Sequence, residues 1–413
     1  MLVESLIPWR ARPNFQWDST SAILSGIWVG GTIPFVAFIA RKEFHASDTA
    51  LGLMTAGPFV GSFLALPLTH ALSKTSPIRN VTLLHIIARI VLLCSIFAHS
   101  SWAFAWSIFT VHCISAIPYP TYASVLRLIY PLDFIGRLLS YIRVLMACGM
   151  IASTFLAPFV VARIGWRGAF LVYFPVGLAA CWAFSRIKIP QDQSTALEGS
   201  SADFISASLR LLKDDVAFRA FAVAVFVYGF GNLMTIPVYT IYQVDVLNID
   251  TRWVAILTNT TLIIWVPSFI FWGQLADQIP PLKIVLICTV LAVVPPLNHV
   301  FATSVWMLLP MAVVSGIAQA GIELSYFNTL MHFSSPTNAA QYQGIHSLLL
   351  GVRGIAAPFV GAGMAHWLQA TGHDVRWVFV VGGALVLIGA ILQFYGLRYP
   401  PQGTLMQRVA GSG

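Results

Sequence analysis

Residues 349–361 read LLGVRGIAAPFVG, and residues 156–160 read LAPFV, so the run Ala-Pro-Phe-Val stands at 157–160 and again at 357–360. Each copy sits late in a long apolar stretch. Two further echoes keep the same order. HALSKTSPIRNV at 70–81 is answered by GQLADQIPPLKI at 273–284, with Leu72 against Leu275 and Pro77 against Pro280. GWRGAF at 165–170 is answered by DVRWVF at 374–379. Three matches in the same order, about 200 residues apart, argue for an internal duplication. Parallel repeats of this kind in membrane chains enclose a central site near the midplane.

Working outward from the repeat, the apolar stretches predict twelve spans, at about 19–40, 50–73, 78–98, 102–127, 135–161, 168–185, 217–241, 253–274, 281–301, 304–330, 340–366 and 375–397. The 413 residues are 58% hydrophobic and only 9% charged, with a mean hydropathy of +0.79. A water-soluble domain carries about 25% charged residues. This composition instead supplies helices of about 20 apolar residues, the length that crosses a roughly 30 Å hydrocarbon core. Runs that are long and do not alternate with period two argue against a β-barrel. The expected fold is therefore an all-α polytopic membrane protein of two pseudo-symmetric six-helix bundles.

The longest polar break, Ser185 to Arg219, divides the spans six and six. The expected domains are residues 1–185 and 217–397, joined by a cytoplasmic loop at 186–216 and followed by a tail at 398–413. Within the loop, Phe204, Ile205, Leu209 and Leu212 alternate with Arg210, Lys213 and Asp214, which fits either a short interfacial helix or a solvated linker. The N-terminus does not read as a cleaved signal. The apolar run at 19–40 is too long and lacks an A-x-A exit, so it reads as a retained first span.

The net charge of +8 does not come from a basic patch, so nucleic-acid binding is not indicated. Lys and Arg scatter through short loops. With the N-terminus inside, fourteen fall on inner segments and six on outer ones. The positive-inside rule then puts both termini and the central loop in the cytoplasm, in a cell membrane such as a bacterial inner membrane. The five cysteines make no CxxC pair and suggest neither a metal site nor a disulfide framework. No cofactor motif is present.

Six plus six helices, a cytoplasmic central loop and the echoed motifs resemble the major facilitator superfamily of secondary transporters. GQLADQIPPLK resembles that family's loop signature after span eight, with Gly273, Leu275, Ala276 and Asp277 in place and two prolines replacing the later Gly and Arg. The resemblance implies that Asp277 helps hold one conformation shut. In the first half Lys74 stands where the acid belongs, so that copy is decayed. The antiporter ending G-P-x-x-G-G is weak in span five, which reads APFVVA, and closer in span eleven. The resemblance further implies that spans one, four, seven and ten line a cavity, and that spans two, five, eight and eleven flank it.

An ionisable group inside a span is a functional candidate by default. Glu323 is the acid well inside a predicted cavity helix, and reads either as a proton-coupling or ligand group or as a fixed structural acid. Arg143 lies about eight residues into span five, roughly 12 Å deep at 1.5 Å per residue. It reads either as half of a gate with Glu323 or as a snorkelling cation. Arg353 lies roughly 20 Å deep, between Gly351 and Gly354, and should face protein or the cavity. Glu323 or an anionic substrate would be its partner. Arg89 and His85 share a face of the peripheral span three and read as packing. His112, Asn232, Gln319 and Tyr326 complete the candidate substrate or coupling residues. Trp28, Tyr119, Tyr122, Tyr228, Asn328 and His346 add polar and aromatic surface of lower specificity.

The sequence thus predicts a monomeric secondary transporter that moves a small solute by alternating access. Three intramembrane arginines favour an organic anion, with protons as a coupling ion. One alternative is proton-coupled efflux of hydrophobic or cationic drugs through Glu323. Another is a transporter-like sensor or scaffold that carries nothing. No G-x-x-x-x-G-K-[ST] motif supports ATP-driven transport, and no HExxH or HxxxxD supports an enzyme.

Overall fold

A computed structural model describes residues 8–9, 11–71, 75–189, 213–276, 278–333 and 339–397. Asp277, Lys74, the segment 190–212 that could form the interfacial helix, and the tail from 398 lie outside the described residues. Within them the chain is helical, without a strand. The helices are α1 (Arg12–Thr32), α2 (Val36–Phe44), α3 (Asp48–Ala71), α4 (Pro77–Cys94), α5 (Ser101–Ala116), α6 (Tyr119–Ile129) and α7 (Leu132–Ser185). There follow α8 (Val216–Ile241), α9 (Thr251–Ala276), α10 (Pro281–Leu291), α11 (Val294–Phe301), α12 (Leu309–Phe333), α13 (Ala339–Ala370) and α14 (Arg376–Gly396).

Among the described residues nine helical segments are long and apolar enough to cross a membrane. Several spans differ in outline from the sequence expectation, and proline accounts for most differences. The first helix starts at Arg12 rather than near 19, because Pro13 is pre-set for a helix's first turn. The fourth span is divided between α5 and α6 at Pro118, which has no N–H to donate. The ninth is divided between α10 and α11, before Pro295 and Pro296. The fifth and sixth spans run together as α7, interrupted at one residue, Gly165, with φ 71° and ψ 171°. That backbone is nearly reserved for glycine.

The packing divides the chain into two compact units, Met1–Glu198 with Asp250–Asn259, and Gly199–Ile249 with Thr260–Gly413. In the first unit α1 lies along both arms of α7. Gly26 and Gly30 of α1 face the backbone of Met146 and Met150, so closely that a Cβ on either would collide with it. The Ser153 and Thr154 hydroxyls donate to the carbonyls of Ile27 (2.5 Å) and Gly30 (2.9 Å). On the other arm Ala180, Gly177 and Tyr173 meet Ser21, Trp28 and Gly31 in reverse order. The two arms of α7 are therefore antiparallel. Small residues and hydroxyls do this work because lipid leaves no hydrophobic drive between helices.

In the second unit α8 plays the same central part against α13 and α14. Gly361 of α13 meets the Met234 backbone, while Gly231 and Gly382 let α8 and α14 touch. Phe218, Phe221, Leu330, Phe333, Tyr342 and Ile345 close one end of this unit as an aromatic-rich core.

Candidate functional site

Arg353 sits five residues before Pro358 in α13, and the helix buries it to 4% exposure. One of its terminal nitrogens donates to the carbonyl of Val225 on α8. The guanidinium fills the space that a Cβ would need at Gly229, one turn further along α8. Among the described residues no carboxylate pairs with it, and its Nε has no hydrogen-bond partner. Tyr326 of α12 lies against the guanidinium, its hydroxyl buried. The His346 ring packs edge-on against Tyr326 at 5.2 Å. A cavity of about 10 Å³ opens between Phe221, Val225, Phe226, His346, Leu350 and Arg353, at the lower limit for a single water. The second unit therefore holds a permanent positive charge, two adaptable polar side chains and almost no bound volume.

The expected pairing of Arg353 with Glu323 does not occur. Its bond goes to a backbone carbonyl, and the Glu323 side chain is exposed on α12. Arg143, half-buried on α7, belongs to the first unit, and Glu323 to the second. Gln319 is exposed, and Asn232 is half-buried, its carbonyl accepting from Thr235 (2.8 Å). His112 is half-buried on α5, against α3. A Cβ built on Gly57 would come within 2.8 Å of its own Cβ. Gly273 ends in open space near the close of α9. Within the second unit the structure brings together Arg353 and Tyr326, with His346 beside them.

Arg89 is buried on α4. It donates to the His85 carbonyl (2.9 Å) and reaches Ser25 Oγ at 3.4 Å, while its guanidinium lies 4.7 Å from the Trp28 ring. Trp28 is thus covered by a cation within the first unit's core. A desolvated cation over an indole gains up to about 2 kcal/mol, which offsets part of the cost of burial.

Sequence reasoning passed over Asp18. It is the most deeply buried acid described, at 2% exposure, on the second turn of α1. Tyr130 donates to its Oδ2 at 2.9 Å, and Tyr122 to its Oδ1 at 3.2 Å. A signal was available. Asp18, Ala22, Gly26 and Gly30 are four apart, one stripe of a helix, and all four are buried. The second unit has a related contact, in which Tyr342 donates to Asp215 Oδ2 at 2.7 Å. Asp215, however, is the N-cap of α8, and its Oδ1 also accepts from the Phe218 backbone at 2.9 Å.

Comparison with known proteins gives a consistent result. The family model for the Major Facilitator Superfamily matches residues 19–297 and again 221–409. No curated protein sequence matches significantly. Among solved structures, a bacterial homologue of the human lysosomal transporter Spinster, inward-facing and unoccupied, superposes with a TM-score of 0.74. It is 14% identical and covers 96% of this chain and 98% of its own. The nucleoside transporter NupG superposes with a TM-score of 0.72 at 12% identity, covering 95% of this chain and 100% of its own.

Proposed function

Because the chain belongs to the Major Facilitator Superfamily, a family of transporters rather than enzymes, we propose that it carries a small organic anion across the membrane by alternating access. It is a multi-pass membrane protein with the fold of a secondary transporter. At 12–14% identity the two neighbours speak for the fold alone, so neither the nucleosides that NupG is named for nor a lysosomal solute is transferred here.

One observation carries the anion reading. Arg353 is a buried guanidinium that bonds a neutral carbonyl, lies against the Tyr326 phenol and, among the described residues, meets no carboxylate. A buried charge without a counter-ion costs several kcal/mol, and residues of this kind inside a membrane mark substrate pathways. A carboxylate or phosphate on the solute would supply the missing charge, with Tyr326 and His346 as neighbouring donors. Guanidinium is the group suited to planar, two-point recognition of such anions.

The same reading places both termini on the cytoplasmic side of the cell membrane and takes the monomer as the working unit. A second reading, proton-coupled efflux of cationic or hydrophobic drugs, is favoured by the exposed carboxylate of Glu323 on α12.

Uptake into proteoliposomes by a panel of labelled organic anions and lipophilic cations separates the two. Anion flux above empty liposomes that Arg353→Ala abolishes supports the proposal. Cation flux that Glu323→Gln abolishes overturns it.

A further inference from the structure

The first unit contains a carboxyl that the anion reading does not use. Asp18 is inside the α1 helix, so no free backbone N–H reaches it, unlike Asp215 at the start of α8. Among the described residues its bonds are those from Tyr122 and Tyr130. Among the described residues no cation bonds to it. Arg12 on its own helix, Arg79 on α4, Arg137 and Arg143 on α7, and Arg186 just past the end of α7 are described charged groups on the elements packed in this cluster. Of these, Arg143 acts electrostatically on Tyr122 rather than pairing with Asp18.

Two opposed effects therefore meet at one group. Two phenol donors stabilise the carboxylate, while removal from water stabilises the neutral acid. A cation partner or helix-terminal amides would favour the carboxylate. Asp18 has neither. The two states also differ in what they bond. The carboxylate accepts from both phenols. The acid carries its own O–H and is the weaker acceptor, so one phenol turns from donor to acceptor or keeps a weaker bond.

We propose that Asp18 is a proton-exchanging carboxyl whose charge state sets how tightly α1 is held to α6. One proton from water is taken up by one carboxylate, with no other reactant. Uptake exchanges a three-way bond for a weaker one. The bond joins the first helix of the unit to Tyr122 and to Tyr130, which follows the end of α6. This would give the first unit a proton site of its own, independent of which solute the protein carries.

Infrared difference spectra of the full-length protein in lipid nanodiscs, recorded across a pH titration, test this directly. The expected result is a protonated-carboxyl C=O band that grows as pH falls, is lost in Asp18→Asn and persists in Asp215→Asn. Tyr122→Phe and Tyr130→Phe should move the band's frequency, because each removes a hydrogen bond to that carboxyl. The phenylalanine variants keep the test usable if Asp18→Asn fails to fold. No titrating band over the range in which the protein stays folded, or a band unmoved by either phenylalanine, overturns the proposal. Because no substrate enters the measurement, its outcome is separate from that of the anion reading.

Discussion

Ser153 and Arg353 stand five residues before Pro158 and Pro358, and each donates a hydrogen bond to a backbone carbonyl on the first helix of its own unit, Ile27 and Val225 respectively. The duplication thus preserves a tie while changing its chemistry, from a hydroxyl in one half to a guanidinium in the other. A serine suffices to make the tie. The tie itself therefore needs no charge, although the guanidinium also fills the space beside Gly229. Arg353→Ser should leave a folded, membrane-inserted protein with anion uptake lost, measured by flux alongside size-exclusion behaviour in detergent. Equal loss of both would return Arg353 to a purely structural role.

Removing the smaller tie should be mild. Ser153→Ala deletes one hydrogen bond to Ile27 and leaves a carbonyl that its own helix already engages. The expected loss is about 1 kcal/mol of stability, read from thermal unfolding, with transport little changed.

Gly229 and Arg353 should behave as a coupled pair. A methyl at 229 enters the space of the guanidinium. Gly229→Ala is expected to cost about 1–3 kcal/mol through overpacking. In the double variant with Arg353→Ala most of that cost should vanish, a coupling that a double-mutant cycle measures. Simple additivity would show that the guanidinium does not occupy that space.

At the far end of α2, Arg41 pairs with Asp48 at 3.0 Å and also donates to the Ala46 carbonyl (2.6 Å). Asp48 is almost fully buried at the start of α3. Arg41→Ala should cost about 1–3 kcal/mol by stripping a buried carboxylate of a charged donor. Asp48→Asn in the same background should recover part of it. Thermal melts of the three proteins check this.

The fold was legible because its signals are local. Apolar run length, the prolines and the Ala-Pro-Phe-Val echo all lie within a few residues of one another. The site was legible only in part. Arg353 announced itself as a charge in an apolar run. That it meets Val225 rather than Glu323 depends on which faces of α13 and α8 touch, and Gly229 decides that by offering room. Asp18 escaped notice for a different reason. It stands beside Asn14, Gln16 and Trp17, a stretch that reads as a solvated approach to the first span. Its partner Tyr130 is 112 positions away. Only the four-residue stripe running from Asp18 through Ala22 to Gly26 and Gly30 tied it to the buried face.

Gly165 turns the chain with a single residue, and a Cβ there would meet nothing within 4 Å. Gly165→Ala should therefore cost about 1–3 kcal/mol through backbone strain alone, visible as a lower melting temperature.

That one-residue turn also bears on how the protein is made. The arms of α7 come off the ribosome with no polar tether between them long enough to let one settle before the other. With so little slack, the expected course is that they enter the membrane as a closely spaced pair. Lengthening this turn with a flexible insert would uncouple the two arms at birth, so the first sign of damage would be a mis-threaded chain rather than a slow carrier.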